Sequence, residues 1–467
     1  MDVIIAGAGP VGLLLAAELA LHDVDVVVLE KLPRPTGFSK AAGLHARSTE
    51  SMELRGLVDL LTERGRQWFE DGFADRPELL AKLRESGNLP VPGHFAGIQK
   101  LRHDLLDTNH PGLLGIPQSA LEDALAGHAA HLGAKIQRGK EVLGVEQDDD
   151  GVTVHTGDSS LRAEYLVGCD GGRSVVRKLA GFSFPGHEPT TTSWLADIAV
   201  PELLGQPAKG HRRTPGGTML VTPFRILVTE KGVAPHQDPV TVAEVEAAVS
   251  RVAGQEIRFR AEPKWISRFT DVTRLAEPYR LGRVLLAGDA AHVHAPSGGQ
   301  GLNLGLQDAM NLGWKLAAAV AGWAPPGLLD TYGTERRPVA ARVLHNTRAQ
   351  TALAFGADAL HDVFAELMDL EQVNRHLGEM ITGVNLRYDF GPDNPRVGAF
   401  VPAPLRSLLR NGRPVLTGAN AEGWQDRVDT APGDEPMLVR PDGYVVWAGE
   451  GPVTDVLTRW FGPPSAS

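Results

Sequence analysis

The chain opens with an unbroken apolar run at residues 3–6, a glycine-rich stretch at 7–12 and a segment of helical composition at 13–21. A second β-type run, 25–29, ends at Glu30. Continuous apolar runs around a helix mark strands covered on both faces, so this opening predicts a βαβ unit in a parallel sheet. Residues 36–61 read as a loop followed by a helix. The pattern weakens over 66–111, where Gly, Pro and His accumulate, and 118–132 predicts an amphipathic helix. Residues 141–147 and 152–156 predict a hairpin turning at Asp148, Asp149, Asp150 and Gly151. A strand at 165–167 then runs into 168–173.

From 175 to about 273 the texture becomes alternating, as in 218–221 and 225–229, with one helix at 242–252. That is the pattern of a separate sheet-based domain. A buried-strand run returns at 283–287, followed by helices over 302–322 and 328–380. Residues 392–404 are rich in Pro and Gly and read as a linker. The tail carries strands at 437–439 and 444–447 around a Pro441-Asp442-Gly443 turn. The expected division is 1–175 and 275–390 for a split first domain, 176–274 for an inserted sheet domain, and 391–467 for a small last one. Residues 70–110 are expected to contribute to the inserted domain. No internal repeat is visible.

The length of 467 residues fits about three domains. The net charge of −11 argues against nucleic acid or an anionic membrane as partner. The single cysteine, Cys169, excludes an intrachain disulfide, a CxxC pair and a cysteine-rich zinc site, and fits a cytoplasmic protein. The apolar stretches at 3–21 and 302–323 are broken by glycines or by Gln307, Asp308, Asn311 and Lys315, so neither reads as a membrane span.

Gly7-Ala8-Gly9-Pro10-Val11-Gly12 is a GxGxxG turn between a predicted strand and a predicted helix. Its glycines permit a tight turn and close approach of a pyrophosphate to the helix start. Glu30, 18 residues beyond Gly12, stands where a carboxylate accepts hydrogen bonds from an adenosine ribose. The turn alone does not choose between NAD and FAD.

Two later motifs narrow the choice. Residues 165–174 run from a strand into Gly168-Cys169-Asp170-Gly171-Gly172-Arg173. Residues 283–292 run from a strand into Gly288-Asp289, followed by Pro296 and Gly298-Gly299-Gln300-Gly301-Leu302-Asn303. In this order the three motifs resemble those of the single-component, class A FAD-dependent aromatic hydroxylases. Gly43-Leu44-His45-Ala46-Arg47-Ser48, Gly115-Ile116-Pro117-Gln118 and Leu438-Val439-Arg440-Pro441-Asp442-Gly443-Tyr444 are similar to the aromatic polyketide hydroxylase and rifampicin monooxygenase branch. The likeness spans the chain and is weakest in the middle.

The resemblance implies an α/β fold. It has a Rossmann-like FAD-binding domain of para-hydroxybenzoate hydroxylase type, an inserted β-sheet substrate domain and a thioredoxin-like C-terminal domain. The tail has no cysteine, so that last fold would be structural. Gly7, Gly9 and Gly12 would approach the pyrophosphate and Glu30 the ribose. Lys31 and Gln118 would lie on the adenosine–pyrophosphate side and Val142 at adenine. Asp170 and Asp289 would serve the cofactor, Asp289 near the ribityl chain. Pro296, Gly299, Gly301, Leu302 and Asn303 would line the isoalloxazine. Lys40 stands where relatives commonly have Arg, keeping the charge without the fork geometry. Arg47 is a further flavin-side candidate, with an i,i+3 pair to Glu50 as its alternative.

The activity implied is NAD(P)H-driven insertion of one atom of O₂ into a large aromatic polyketide or related antibiotic, through a flavin C4a-hydroperoxide. NADPH would bind transiently, since no second GxGxxG site is visible. A monomer or homodimer fits. Rifamycin-type inactivation is the alternative within the class. A flavin halogenase is disfavoured because its W-x-W-x-I-P element is absent. A non-catalytic FAD protein, with the tail as a contact module, is the third reading. No side chain is named as catalytic base, and no metal is expected. His292 and His294 follow the Gly-Asp motif, His292 read as structural and an HxH metal pair set aside for want of a third ligand. Trp194, Trp265 and Phe269 are ring-cavity or core candidates, Arg212 and Arg213 anion-contact or loop candidates, and Cys169 a packing residue.

Overall fold

The apolar runs lie side by side in a computed structural model, which describes residues 1–72, 81, 93–199, 203–204, 210–222, 225–233, 238–391 and 394–465. Strands Val3–Ala6, Val26–Glu30 and Lys135–Arg138 pair in parallel on one side. Tyr165–Gly168 and Val284–Leu286 continue the parallel sheet on the other, and Arg280–Leu281 adds an antiparallel edge. The three central strands are buried almost throughout, which is why they read as continuous apolar runs and not as alternation. Their carboxyl ends therefore deliver Gly7, Cys169-Asp170 and Gly288-Asp289 to one edge.

Two helices cover the sheet at that edge. The helix Pro10–Ala20 begins with Pro at its first position, where the missing N–H costs nothing. The helix Gln300–Val320 packs along it at close range, because glycines stand at the crossings. A Cβ at Gly305 would come within 2.6 Å of Val11 Cγ2, and one at Gly313 within 2.5 Å of Glu18 Cβ.

The alternating middle region is a five-stranded antiparallel sheet, in the order Gly210–Thr214, Gly217–Val221, Arg225–Lys231, Thr191–Asp197, Trp265–Thr270. One face packs on the helix Val242–Ala253 through Trp194, Ala196, Met219, Val221, Ile226 and Val228. The other face is turned to the rest of the chain. Trp265 stacks on Phe38, Arg225 donates to the Ser39 carbonyl at 2.7 Å, and Arg213 donates to the Gly356 carbonyl. Of the expected contribution of 70–110, residues 73–80 and 82–92 lie outside the described residues. The hairpin Gly93–Phe95/Ile98–Leu101 does border the five-stranded sheet, His94 packing on His211 at 4.2 Å between ring centroids.

The tail forms a four-stranded sheet in the order Asp429–Ala431, Val415–Thr417, Met437–Val439, Val445–Ala448, followed by the helix Thr454–Phe461. The supposed linker at 392–404 is a correction. Its residues 392 and 393 lie outside the described residues, but Val397 and Val401 are buried and Phe400 bridges to Tyr444. Its backbone is held by that sheet, so high Pro and Gly content here marks turns in a packed segment.

A buried polar lock joins the tail to the long helices. Arg440 pairs with Glu335 at 2.8 Å and with Asp442, inside a cage of Trp314, Tyr388, Phe390 and Trp460 rings. Lys315 sits 2.9 Å from Glu335. Burial alone would raise the Glu335 carboxyl, but Arg440 and Lys315 outweigh it and hold it at about 2. The folded value lies below the ordinary 4.5, so this contribution to stability is full above pH 4.5 and drains away as pH falls towards 2. Thermal melts between pH 7 and 3 should show Tm falling below about 4.5. E335Q should melt lower at pH 7 and lose less across the acid range; an equally steep acid slope would contradict the assignment.

Candidate active site

The site is built at the carboxyl edge of the parallel sheet, the usual ligand position in such folds. Gly7 takes φ +106°, and a Cβ there would sit 2.4 Å from the Cys169 carbonyl oxygen. A Cβ on Gly12 would sit 2.1 Å from the Gly7 carbonyl. These two glycines are required by the protein's own packing. A Cβ on Gly9 would meet nothing within 4 Å, so the protein's own packing does not require glycine there and the space in front of the helix start is open. Glu30 accepts hydrogen bonds from the Ala8 N–H at 2.9 Å and the Leu32 N–H at 2.8 Å. A carboxylate has about four acceptor positions, so capacity for ribose hydroxyls remains. Residues 139–142 run beside this carboxylate, with Lys140 N–H donating to the Glu30 carbonyl and Val142 buried.

Both helix starts at this edge lack a side-chain cap and an acidic residue in the first turn, Gly9 capping one and Gly299 the other. Uncapped N–H groups and the positive helix ends favour an anion. The second start is shaped by Gly298 at φ +71° and Gly299 at φ +65°. It is clamped by a residue the sequence reading passed over. His45 Nε2 donates to the Gly298 carbonyl at 2.7 Å, and the His45 N–H donates to Asn303 Oδ1 at 2.8 Å. Burial pushes this imidazole down to about 4, so it is neutral at working pH. His45 lies inside the motif quoted for its resemblance, between Leu44 and Ala46 at the start of the helix Ala46–Glu53.

The Asp170 carboxylate caps a short helix, accepting from Val175 N–H at 2.6 Å and Val176 N–H at 3.1 Å through Oδ2, while Oδ1 is buried without a partner. His294 donates from Nδ1 to the Ala295 carbonyl, and its Nε2 is buried without a partner, near Gly301. Asp289 is exposed on its turn, as are Pro296 and Gly299. Lys31 and Lys40 are exposed, and Gln118 is partly buried at the start of the helix Gln118–His131. The Lys40 loop is fixed by its neighbours, Ser119 N–H donating to Ser39 Oγ at 3.1 Å and Gln118 N–H to the Ala41 carbonyl at 3.1 Å.

The Arg47 guanidinium lies 2.7 Å from Glu50, donates to the Val384 carbonyl at 2.6 Å and stacks over Phe400 at 3.9 Å. The i,i+3 pair with Glu50 is present, and the remaining contacts run to the 383–384 turn and the tail. Behind the Gly-Asp motif, His292 lies 2.7 Å from Asp308, as a structural histidine should. Asp308 also accepts from Arg336 at 2.8 Å and from the Gly288 N–H at 3.2 Å. No group of three metal-ligating side chains occurs among the described residues. Cys169 is packed behind the glycine turn, its thiol pushed well up by burial and by Asp170 and Asp308. Trp194 is core, donating to Glu244 at 2.7 Å on the helix side of the sheet. Arg213 is tied to Gly356 and Asp358, while Arg212 is exposed.

Together these features fit a flavin dinucleotide: two uncapped helix starts side by side, an open Gly9 between two closed glycines, a carboxylate on the adenosine side, and unpartnered buried polar atoms at both Gly-Asp turns. Residues 1–347 match the model of the FAD binding domain, and 392–464 that of the aromatic-ring hydroxylase C-terminal region. The chain belongs to the FAD-dependent aromatic-ring hydroxylases. It is a flavoprotein monooxygenase with FAD as cofactor and NAD(P)H as the reductant typical of the family. A rifampicin monooxygenase of Rhodococcus hoagii is 44% identical, covering 99% of this chain and 98% of that protein. The solved OxyS anhydrotetracycline hydroxylase from Streptomyces rimosus superposes with a TM-score of 0.88 at 40% identity, covering 99% of both chains. CabE, an aromatic hydroxylase from angucycline biosynthesis, gives 0.85 at 39% identity, also over 99% of both. Among the described residues no helix is long and apolar enough to cross a membrane.

Proposed function

We propose that this hydroxylase oxygenates a fused-ring aromatic polyketide or a rifamycin-type antibiotic. The observation that carries the reading is the second face of the five-stranded sheet. Leu195, Leu220 and Leu227 form an apolar row on it, opposite the side packed on the helix Val242–Ala253. The elements around that face are the 38–39 loop, the 93–101 hairpin and, through the hairpin, the 297–299 turn. A broad apolar wall beside a flavin-binding edge suits a flat, multi-ring substrate. The relatives named for rifampicin, anhydrotetracycline and angucycline chemistry support the same class.

In this reading Gly7, Gly9, Gly12, Glu30, Lys31, Gln118, Val142, Asp170 and Asp289 hold the dinucleotide. Pro296, Gly299, Gly301, Leu302 and Asn303 lie along the flavin ring, with Lys40 at the mouth. FAD supplies the oxygen-activating chemistry once reduced by NADPH, which binds transiently. The protein positions the ring system against the leucine row and excludes water there. Residues 1–175 and 275–390 make the FAD domain and 176–274 the substrate domain. The tail is read as a structural, thioredoxin-like domain, which the mixed pairing of its inner strand Val415–Thr417 supports, parallel on one side and antiparallel on the other. The enzyme works in the cytoplasm as a monomer or homodimer.

The test is a screen of FAD-loaded protein with NADPH against anhydrotetracycline, rifampicin and an angucycline, reading NADPH oxidation and product mass together. Conversion of at least one to a product heavier by one oxygen is expected. NADPH oxidation yielding only peroxide with all three would refute the substrate class.

A further inference from the structure

Pairing in the five-stranded sheet places His211 opposite Leu220, Leu220 opposite Leu227, Leu227 opposite Leu195 and Leu195 opposite Ser267. The apolar row thus ends in a polar side chain at each side. At one end the His211 ring packs on His94, with centroids 4.2 Å apart and planes tilted by 51°. His94 Nδ1 accepts from the Gly97 N–H at 3.4 Å, which places its own proton on Nε2. The strand carrying His94 lies against the 297–299 turn. The Ala96 N–H of the same hairpin donates to Gln350 Oε1 at 3.2 Å, and Gln350 continues through Asn346 to Gln300 at the start of the long helix. The histidine pair is therefore held in register with the turn at the flavin edge. The His211 imidazole makes no hydrogen bond with any described residue. Its ring is only partly buried, which leaves the nitrogens open to a bound molecule.

We propose that His211, braced by His94, hydrogen-bonds the hydroxyl or keto oxygen of the aromatic substrate and sets where its rings lie along the leucine row. This rests on the hydroxylase reading given above. A neutral imidazole offers one donor and one acceptor, which suits the adjacent hydroxyl and ketone groups of fused aromatic polyketides. The pair is a positioning device and not a base. Burial lowers His211, and burial together with His211 and His45 pushes His94 down to about 3. Both shifts favour neutral imidazoles, the form that offers one donor and one acceptor.

The experiment uses FAD-loaded enzyme with anhydrotetracycline and, in parallel, rifampicin. H211F keeps a ring against His94 but removes both hydrogen-bonding atoms; H211Q restores a donor and an acceptor. For whichever compound the wild type converts, H211F should raise KM about 10- to 100-fold and lower product formed per NADPH, with FAD content unchanged. H211Q should stay within about 3-fold of wild type. Where phenylalanine does not fold, H211L replaces it and matches the neighbouring leucines. An apolar variant that folds with wild-type KM and coupling overturns the inference. So does an H211Q variant as impaired as H211F, because bulk and not hydrogen bonding would then matter. Wild-type enzyme that converts neither compound overturns the substrate reading itself, a result seen before any variant is made.

Discussion

G9V is expected to fold and to be colourless. The site at Gly9 is open to a Cβ, whereas Gly7 and Gly12 would drive theirs into backbone carbonyls at 2.4 and 2.1 Å. A side chain at Gly9 therefore disturbs nothing in the protein and projects where the pyrophosphate must approach the helix start. FAD affinity should fall at least about 100-fold, or about 2.8 kcal/mol, while the apo-protein keeps its far-UV circular dichroism and its Tm within about 2 °C. G7A and G12V should lose both, since Gly7 also needs its positive φ. Flavin fluorescence titration and a melt of each apo-protein check the contrast. A yellow G9V protein, or one that melts far below wild type, would contradict the division between packing and binding glycines.

D308A is expected to have the largest effect on stability. Asp308 is fully buried and receives Arg336, His292 and the Gly288 N–H at once. Arg336 is fully buried too, and it reaches on to the Tyr388 hydroxyl at 3.0 Å and the Leu304 carbonyl at 3.1 Å. Removing the carboxylate leaves a cation in the core without its counter-charge, which costs about 3–5 kcal/mol. The Gly288 N–H loses its acceptor in the same step, so the Gly288-Asp289 turn should loosen and FAD content should drop with stability. D308N keeps the shape and one acceptor and should fall between the two. Denaturant melts with and without added FAD separate the contributions. A D308A protein as stable as wild type would mean that the charge is solvated by means the packing does not show.

The parallel sheet and its glycine turn were legible because their signals are local. Val3–Ala6, Tyr165–Gly168 and Val284–Leu286 are buried on both faces, and each is followed directly by the motif it positions. The polar residues inside the long helices were harder. Asp308, Asn311 and Lys315 argued against a lipid-facing span, yet they are buried, because Glu335, Arg336, Arg440 and Asp442 reach them from distant parts of the chain. Only tertiary pairing shows that. The partners of Arg47 beyond Glu50 were hidden for the same reason: Phe400 and Val384 lie far along the chain. His45, His94 and His211 carried no pattern of their own. Their meaning appears only when the 93–101 hairpin is laid against the inner sheet and the 297–299 turn.

The central claim is that this chain inserts one atom of O₂ into an aromatic polyketide or rifamycin. It is tested most directly by turning over FAD-loaded protein with NADPH and the converted compound of the substrate screen under isotopically heavy dioxygen. The product should carry one heavy oxygen atom, form in proportion to NADPH consumed and be absent from the G9V protein. A product whose new oxygen is light, or heavy peroxide with unaltered substrate, would contradict it.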